Sequence, residues 1–340
     1  MKPITVVGGG LAGLSLGYAL RAEGVPVTLH EAGALPRHRV CGEFLCGRGA
    51  DALDRLGLGE TLSGALTHRE LSWFFGETSL LRRQLPQPAL GLSRYQLDQR
   101  LAERFRKADG QLIEHSRFRE SNADTGVVLC SGRRPARSDW LGLKVHCLDL
   151  ATQTDLELHM GNNGYVGLSA VEDGRTNVCA LFRRRPGLKA EDEPWLIAYL
   201  RACGLESLAK RVLAGGMDPE SHAGVAGMEF GTVPGAAKED RLRLGDAYGV
   251  IPPFTGNGMS IALESAETAL PHLLRYAGGK ESWTTTVSHI HETCAKRFRT
   301  RLRVARQLHP WITEPRRQQL LSYLCGTRLL PFQTLYRWTH

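Results

Sequence analysis

Residues 4–31 read ITVVGGGLAGLSLGYALRAEGVPVTLHE, which predicts a strand, a glycine-rich turn, a helix and a second strand in succession. Between the strand-like run Ile4 to Val7 and the helix-like run Leu14 to Ala22, glycines stand at positions 8, 10 and 13, with Leu11 and Ala12 completing the turn. This spacing at a strand-to-helix turn is typical of a dinucleotide-binding fingerprint. Gly8 permits the tight turn, Gly10 lets a pyrophosphate approach the backbone, and Gly13 lets the helix pack on the strand.

An acidic residue follows at the expected distance. The second strand-like run ends at His30 and is followed by Glu31, eighteen residues after Gly13. A ribose-binding carboxylate is expected about 20 residues beyond such a motif. The stretch therefore predicts an α/β (α+β) protein with a Rossmann-like nucleotide-binding domain.

A second glycine motif lies some 230 residues later. A short strand-like run, Arg241 to Leu244, leads into Gly245-Asp246. The segment PPFTGNGM (252–259) then opens a helix-like run to Leu274, and its candidate cofactor-binding residues are Pro253, Gly256, Asn257, Gly258 and Met259. A nicotinamide dehydrogenase would need only the first motif. A long cofactor such as FAD explains both.

The sequence between the motifs predicts a mixed organisation. Residues 69–85 have the pattern of a β-hairpin, Ser93-Arg94 opens an amphipathic helix, and 139–232 is mostly strand-like with one helix from Pro194 to Ala202. We predict an FAD-binding domain from 1–68, 90–138 and 233–275. An inserted antiparallel β-sheet substrate domain takes 69–89 and 139–232, and a helical C-terminal segment takes 276–340.

Composition limits the class of protein. Of 340 residues, 42% are apolar and 23% charged, as in ordinary globular proteins. The first strand begins by residue 4, so we expect no signal peptide and a cytoplasmic location. Eight cysteines without CxxC spacing or paired histidines favour reduced thiols over disulfides or a metal site.

Positive charge is concentrated near the C-terminus. Residues 281–340 carry 10 of the 43 Lys and Arg but only 3 of the 35 acids, that is, +7 of the net charge of +8. The near-neutral remainder argues against nucleic acid as a partner. Phe298, Leu302, Ala305 and Leu308 have helical spacing among arginines, and Pro310 is expected to end the helix. This pattern fits a helix that caps the domain, or one that contacts anionic lipid at a membrane surface.

Taken together, the motifs resemble the p-hydroxybenzoate hydroxylase superfamily of FAD-dependent oxidoreductases, which includes geranylgeranyl reductases and flavin-dependent halogenases. The resemblance covers roughly residues 3–275. The residues that carry it are Gly8, Gly10, Gly13 and Glu31, Cys41-Gly42-Glu43, Arg94 with Asp98, Gly245-Asp246-Ala247, and 252–258.

The resemblance implies roles for several residues. Asp246 would hold the ribityl hydroxyls, Arg94 would bind the cofactor, and the amides near Gly256 and Gly258 would face the flavin pyrimidine. Cys41 would approach flavin or substrate, with a well-packed structural thiol as the equal alternative. Arg48 is a candidate for the pyrophosphate.

The sequence also departs from the subfamilies. Aromatic hydroxylases carry an Asp-Gly motif where this chain reads CSGRR (130–134), so direct use of NAD(P)H is in doubt. NAD(P)H then remains a transient electron donor, or a separate flavin reductase supplies electrons. The Trp-x-Trp-x-Ile-Pro run of halogenases and the Tyr-x-Trp-x-Phe-Pro run of archaeal geranylgeranyl reductases are both absent.

One histidine is a further catalytic candidate. Lys144 and His146 alternate on one face of a predicted strand, so His146 could exchange a proton with substrate, although a satisfied sheet histidine is the commoner case.

Three functions stay open. The first is an FAD-dependent monooxygenase of a hydrophobic or aromatic small molecule. The second is a geranylgeranyl reductase-like enzyme that reduces prenyl or polyene C=C bonds, with Cys41 or His146 as proton source. The third, from another class, is a flavin-binding redox sensor or accessory protein without turnover.

Overall fold

The computed structural model describes residues 1–119, 125–133, 136–232, 241–327 and 329–340. The strands are β1 (Ile4–Val7), β2 (Val27–His30), β3 (Phe44–Leu45), β4 (Leu66–Phe75), β5 (Thr78–Gly91), β6 (Gln111–Ile113), β7 (Val127–Leu129), β8 (Trp140–Cys147), β9 (Leu156–Gly161), β10 (Gly164–Ala170), β11 (Thr176–Arg183), β12 (Met217–Ala226), β13 (Gly231–Thr232), β14 (Leu242–Arg243) and β15 (Gly249–Val250). The helices are α1 (Leu11–Ala22), α2 (Gly49–Arg55), α3 (Arg94–Lys107), α4 (Trp195–Ala202), α5 (Glu206–Ala214), α6 (Gly258–Ala277), α7 (Trp283–Thr313), α8 (Pro315–Gly326) and α9 (Phe332–Thr339).

A five-stranded parallel sheet carries both glycine motifs. Its order is β14-β7-β1-β2-β6, so the strands that precede the two motifs are separated by β7 alone. The turn after β1 is tight because Gly8 has φ +110° and a Cβ there would lie 2.4 Å from the Cys130 carbonyl oxygen. A Cβ on Gly13 would lie 2.0 Å from the Gly8 carbonyl oxygen, so only glycine lets α1 pack this closely.

An eight-stranded sheet forms the second layer, in the order β12-β8-β11-β10-β9-β4-β5-β3. All its pairings are antiparallel except β4 with β9. Helices α4 and α5 cover one face with a buried apolar cluster that includes Val166 and Leu168. The opposite face, with Tyr165, looks toward the C-terminal helices. One face of the sheet thus packs on α4 and α5, and the other faces α7 and α8.

The observed elements match most of the predicted ones. The hairpin is longer than predicted, because the strands run over 66–75 and 78–91. Helix α5 was not predicted. The predicted domain division at residue 233 falls in 233–240, outside the described residues, and the domain boundaries stay predictions.

The prediction that Pro310 ends the long C-terminal helix is wrong, since α7 continues to Thr313. Proline removes one backbone donor, but the last turn is held in other ways. The Glu314 N–H donates to the Pro310 carbonyl oxygen at 2.9 Å, the Thr313 hydroxyl donates to the His309 carbonyl oxygen at 3.0 Å, and Ile312 is buried.

The apolar face of α7 packs inside the protein. Phe298, Leu302 and Ala305 belong to the core that α1 and α6 build. Arg301 makes a bidentate ion pair with the fully buried Glu264, at 2.6 and 2.8 Å. This face therefore caps the layer of the parallel sheet and is not available to lipid. Among the described residues, no helix is both long enough and apolar enough to cross a bilayer.

Candidate functional site

A cavity of about 780 Å³ lies between the parallel sheet and the eight-stranded sheet. It opens beyond the carboxyl ends of β1 and β14, which is where open α/β sheets bind their ligands. Twelve of the fifteen predicted cofactor-binding residues line it, namely Gly8, Gly10, Leu11, Ala12, Glu31, Arg94, Gly245, Asp246, Pro253, Gly256, Gly258 and Met259. The fold thus brings the two distant sequence motifs to one cavity.

Two helix N-termini meet at this cavity. Helix α1 begins after Gly10 and helix α6 begins after Asn257, and in the described part of the chain no side chain caps either of them. Uncapped N-terminal amides and the positive end of the helix dipole attract electron-rich groups. The pair is therefore suited to a ligand that is anionic or electron-rich at two separated positions.

Gly10 leaves space for that ligand. A Cβ on Gly10 would meet no protein atom within 4 Å, and its backbone is extended, with φ −92° and ψ −172°. Any residue could adopt this conformation, so the protein's own packing does not require glycine here. The free volume lies on the cavity side, where a pyrophosphate would approach the backbone.

Glu31 is fixed at the edge of the cavity. Its carboxylate is 3% exposed, accepts from the Gly9 N–H at 2.7 Å and pairs with Arg37 at 2.9 Å. Arg37 also lines the cavity, and sequence reasoning missed it. A carboxylate held in this way is placed to accept hydrogen bonds from ribose hydroxyls.

Asp246 supplies a second carboxylate on the far side of the first motif. Burial raises the pKa of Asp246, and the nearby guanidinium groups of Arg94, Arg133 and Arg39 oppose that rise. Arg133 lies in the CSGRR segment and lines the cavity, whereas Arg134 lies outside the described residues. The position suits the predicted contact with ribityl hydroxyls.

Arg94 is held rigidly beside the cavity. Its Nε and Nη2 donate to both oxygens of Asp98, at 3.0 and 2.9 Å, and Arg39 Nε donates to Asp98 at 2.9 Å. Because Asp98 is completely buried, it fixes two guanidinium groups at one wall. Arg39 was not singled out from the sequence, since the loop of 32–50 shows no period that would mark it.

Three predicted cofactor-binding residues do not line the cavity. Gly13 packs against the backbone of Gly8 instead. Arg48 is exposed at the start of α2. Asn257 is fully buried, and its side-chain amide donates to the Thr339 carbonyl oxygen. Asn257 thus joins the start of α6 to the C-terminal helix.

A second cavity, of about 310 Å³, lies between the eight-stranded sheet and the C-terminal helices, on the face opposite α4 and α5. Its lining is mostly apolar, with Leu71 and Trp73 from the hairpin and Trp311, Leu321 and Phe332 from the C-terminal helices. At one end His340 Nε2 lies 3.2 Å from Cys46 Sγ. Burial lowers the pKa of His340 to about 4, so the imidazole is neutral near neutral pH.

The two cavities adjoin, since both are lined by Gly42, Phe44, Tyr165, Cys179 and Pro253. The Tyr165 hydroxyl accepts from the Phe254 N–H at 3.0 Å, which fixes this wall. A cofactor in the larger cavity and an apolar molecule in the smaller one would meet here.

Cys41 lines the larger cavity next to this wall. The Glu43 N–H donates to Cys41 Sγ at 3.4 Å. Burial raises the pKa of Cys41, which keeps it a thiol rather than a thiolate at neutral pH. All eight cysteines, each within the described residues, are free.

The prediction that His146 faces the substrate is not supported, because His146 lines neither cavity. Its Nε2 lies 2.5 Å from a carboxylate oxygen of Glu43, and Lys144 Nζ lies 3.2 Å from the other oxygen. Lys144 Nζ also lies 3.0 Å from His38 Nδ1. Both predicted strand residues therefore turn toward Glu43, which no sequence pattern had paired with them.

Three buried residues and the half-buried His38 form a charge cluster: His38, Glu43, Lys144 and His146. Burial opposes ionisation of Glu43, but the hydrogen bond from His146 and the charge of Lys144 outweigh it, so the pKa of Glu43 is lowered. Burial and the Lys144 ammonium lower the pKa of His38 to about 4, so neutral His38 can accept a hydrogen bond from the Lys144 ammonium. The metal-binding atoms of His38, Glu43 and His146 lie within 4.8 Å of one another, but the ammonium already supplies their cation.

Comparison with solved structures identifies the fold. PqsL of P. aeruginosa in complex with 2-aminobenzoylacetate has a TM-score of 0.74 at 16% identity, covering 93% of this chain and 97% of that one. Klebsiella pneumoniae HpxO complexed with FAD and uric acid has a TM-score of 0.74 at 17% identity, covering 96% and 94%.

The flavin-dependent brominase Bmp2 has a TM-score of 0.76 at 14% identity, covering 99% and 92%. No protein-family model matches the sequence, and no curated protein matches it. The chain thus shares its whole fold with a set of flavin-dependent enzymes at low sequence identity.

Proposed function

Since its fold is that of flavin-dependent monooxygenases and a brominase, we propose that this chain is an FAD-dependent oxidoreductase that hydroxylates a hydrophobic or aromatic small molecule. The observation that carries the proposal is the pair of adjoining cavities. One is lined by both glycine motifs, and the other is apolar and shares a wall with it.

The residues present fit FAD. Its pyrophosphate would lie at the start of α1 beside Gly10, its adenosine ribose at Glu31, its ribityl chain at Asp246, and its flavin ring at the start of α6. When bound, FAD supplies the two-electron chemistry and the reaction with dioxygen. The electron donor would be NAD(P)H bound transiently or a separate flavin reductase.

The protein's own residues would orient the substrate and exclude water from the site. Phe44, Tyr165 and Pro253 form the shared wall, so a substrate in the apolar cavity would lie against the cofactor. The C-terminal helices cover the same cavity and exclude water, which limits unproductive side reactions. The neutral His340 and the Cys46 thiol give this cavity one polar end, suited to a single hydroxyl or carbonyl group on an otherwise apolar substrate.

The test uses Gly167, which lines the apolar cavity within β10. A Cβ on Gly167 would meet only carbonyl oxygens at 3.8 and 3.9 Å, so Gly167→Leu fits the strand and fills the cavity. Overfilling a packed site costs about 1–3 kcal/mol, so kcat/KM should fall roughly 5- to 150-fold with FAD affinity unchanged. Oxygen uptake and mass spectrometry on a panel of alkylphenols and prenyl alcohols measure this.

The matched control is Gly187→Leu, because Gly187 is exposed and a Cβ there meets nothing within 4 Å. The wild type and this control should form a product one oxygen atom heavier than the substrate, with oxygen uptake coupled to it. If Gly167→Leu is as active as the wild type, the substrate does not bind in this cavity.

The position of Cys41 favours a second candidate function, the reduction of a prenyl or polyene C=C bond. Its neutral thiol lines the cofactor cavity and could donate the proton that such a reduction requires. Anaerobic formation of a product two hydrogens heavier, lost in Cys41→Ala with FAD retained, would favour this function. Flavin re-oxidation that responds to no ligand would instead favour a redox sensor.

A further inference from the structure

Helices α8 and α9 form the outer wall of the apolar cavity. Leu321 and Leu324 of α8 and Phe332, Leu335 and Tyr336 of α9 line it from the inside. The opposite faces of the same two helices are turned away from the protein, and they carry an unusual set of side chains.

Large apolar side chains are exposed on these outer faces. Of the ten exposed in the described residues, four lie between 320 and 338: Leu320 (49% exposed), Tyr323 (66%), Leu329 (67%) and Trp338 (52%). Leu320 and Tyr323 lie three residues apart and share one face of α8. A concentration of this kind marks an interaction surface, whereas single exposed apolar residues need no explanation.

The charge around this surface is mainly positive, although Glu314 at the start of α8 pairs with Arg317 at 3.0 Å. Residues 315–340 contain four arginines, at 316, 317, 328 and 337, and no Asp or Glu. Arg316, Arg317 and Arg337 are exposed. A second copy of the chain docking on the same surface would bring these arginines against each other, which disfavours self-association. An anionic surface is complementary to them.

We propose that the outer faces of α8 and α9 bind an anionic lipid bilayer and that the apolar cavity behind them takes its substrate from that bilayer. Tyrosine and tryptophan are the side chains that prefer the membrane–water boundary, and arginines pair with anionic headgroups. The exposed apolar side chains would enter the bilayer to the depth of an interfacial helix, about 5–10 Å.

The connection between α8 and α9 gives the route. Leu329 is 67% exposed at the outer surface, while the next two residues, Leu330 and Pro331, line the cavity. The outer surface and the cavity are therefore one residue apart at this loop. Only the route of substrate entry rests on the proposed function. The proposal that the surface binds a bilayer rests on the exposure and charge of its side chains.

The test is sedimentation of the full FAD-loaded chain with vesicles of phosphatidylcholine alone or mixed with phosphatidylglycerol. Each arginine near an anionic surface contributes about fivefold to binding. We expect binding to the anionic vesicles that weakens about 25-fold in Arg316→Gln/Arg337→Gln and at least about tenfold in Tyr323→Ser/Trp338→Ser. Trp195→Ser is the control, because Trp195 is also 52% exposed but begins α4.

Two results would overturn the proposal. One is absence of binding to anionic vesicles, or binding that neither double variant weakens. The other is a dimer of the wild type in light scattering that Tyr323→Ser/Trp338→Ser dissociates, which would assign the surface to a second copy. Because no turnover is measured and FAD content is determined separately by absorbance, failure here leaves the proposed function intact.

Discussion

Gly10→Val is expected to abolish FAD binding while the protein stays folded. A Cβ at position 10 meets no protein atom within 4 Å, and the extended backbone admits valine. The added methyl groups would occupy the space where the pyrophosphate approaches the start of α1. We expect the affinity for FAD to fall at least about 100-fold, or about 2.8 kcal/mol, in a titration followed by flavin fluorescence.

Two further variants isolate this effect. Gly187→Val makes the same change at an exposed position with equally open space, and it should leave FAD affinity unchanged. Gly13→Val should unfold the layer of the parallel sheet, since its Cβ would lie 2.0 Å from the Gly8 carbonyl oxygen. Normal FAD affinity in folded Gly10→Val would place the cofactor elsewhere.

Lys144→Met is expected to destabilise the protein by about 3–5 kcal/mol, because it leaves the buried Glu43 carboxylate without its ammonium partner. Both side chains are 0% exposed, and Nζ lies 3.2 Å from the carboxylate. Urea unfolding followed by circular dichroism measures the loss. The loss should shrink as the pH falls toward the ordinary carboxyl pKa of 4.5, since protonation of Glu43 removes the charge that Lys144 no longer compensates.

A second substitution distinguishes charge from packing. Glu43→Gln combined with Lys144→Met removes both charges, and its amide can still accept from the Arg94 N–H, so most of the stability should return. Lys210→Met is the surface control: its ion pair with Glu206 is exposed and should contribute less than about 1 kcal/mol. If the double variant is as unstable as Lys144→Met, the loss reflects packing.

The sequence predicted most of the residues that line the larger cavity, because these residues act through local backbone geometry. Strand–turn–helix signals and glycine spacing describe contacts between residues close in the chain, as at Gly8 and Gly13. The parallel sheet then brings the second motif, at Gly245 and Gly258, beside the first. That juxtaposition follows from the topology, which the resemblance to a known superfamily supplied.

The charge cluster could not be predicted in the same way. Glu43 pairs with His146 across 103 residues of sequence, and the strand pattern of β8 shows only that Lys144 and His146 share a face. The partners of Lys144 and His146 depend on where the loop of 32–50 crosses the sheet, and the sequence does not show that position. The same loop directs Arg39 toward the cavity and leaves Arg48 exposed. The sequence analysis had singled out Arg48 and not Arg39.

The apolar cavity also depends on contacts between distant segments. Its walls come from the hairpin, the middle of the chain and the last thirty residues, and no single stretch has a recognisable pattern. The arginine-rich helix was correctly identified, but two of its five arginines, Arg297 and Arg301, pair with the buried Glu264. Four of the ten exposed large apolar side chains of the described residues lie on the two helices that follow it and on the loop between them.

In the proposed function, one FAD molecule spans both glycine motifs. Titration of the FAD-free protein with FAD, ADP and FMN in parallel tests this, because ADP and FMN each carry one half of the cofactor. Linking two bound halves raises affinity by about 10²–10⁴, so we expect one FAD per chain, bound at least about 100-fold more tightly than either half. Absence of FAD binding, or an affinity no better than that of ADP or FMN, would contradict the claim.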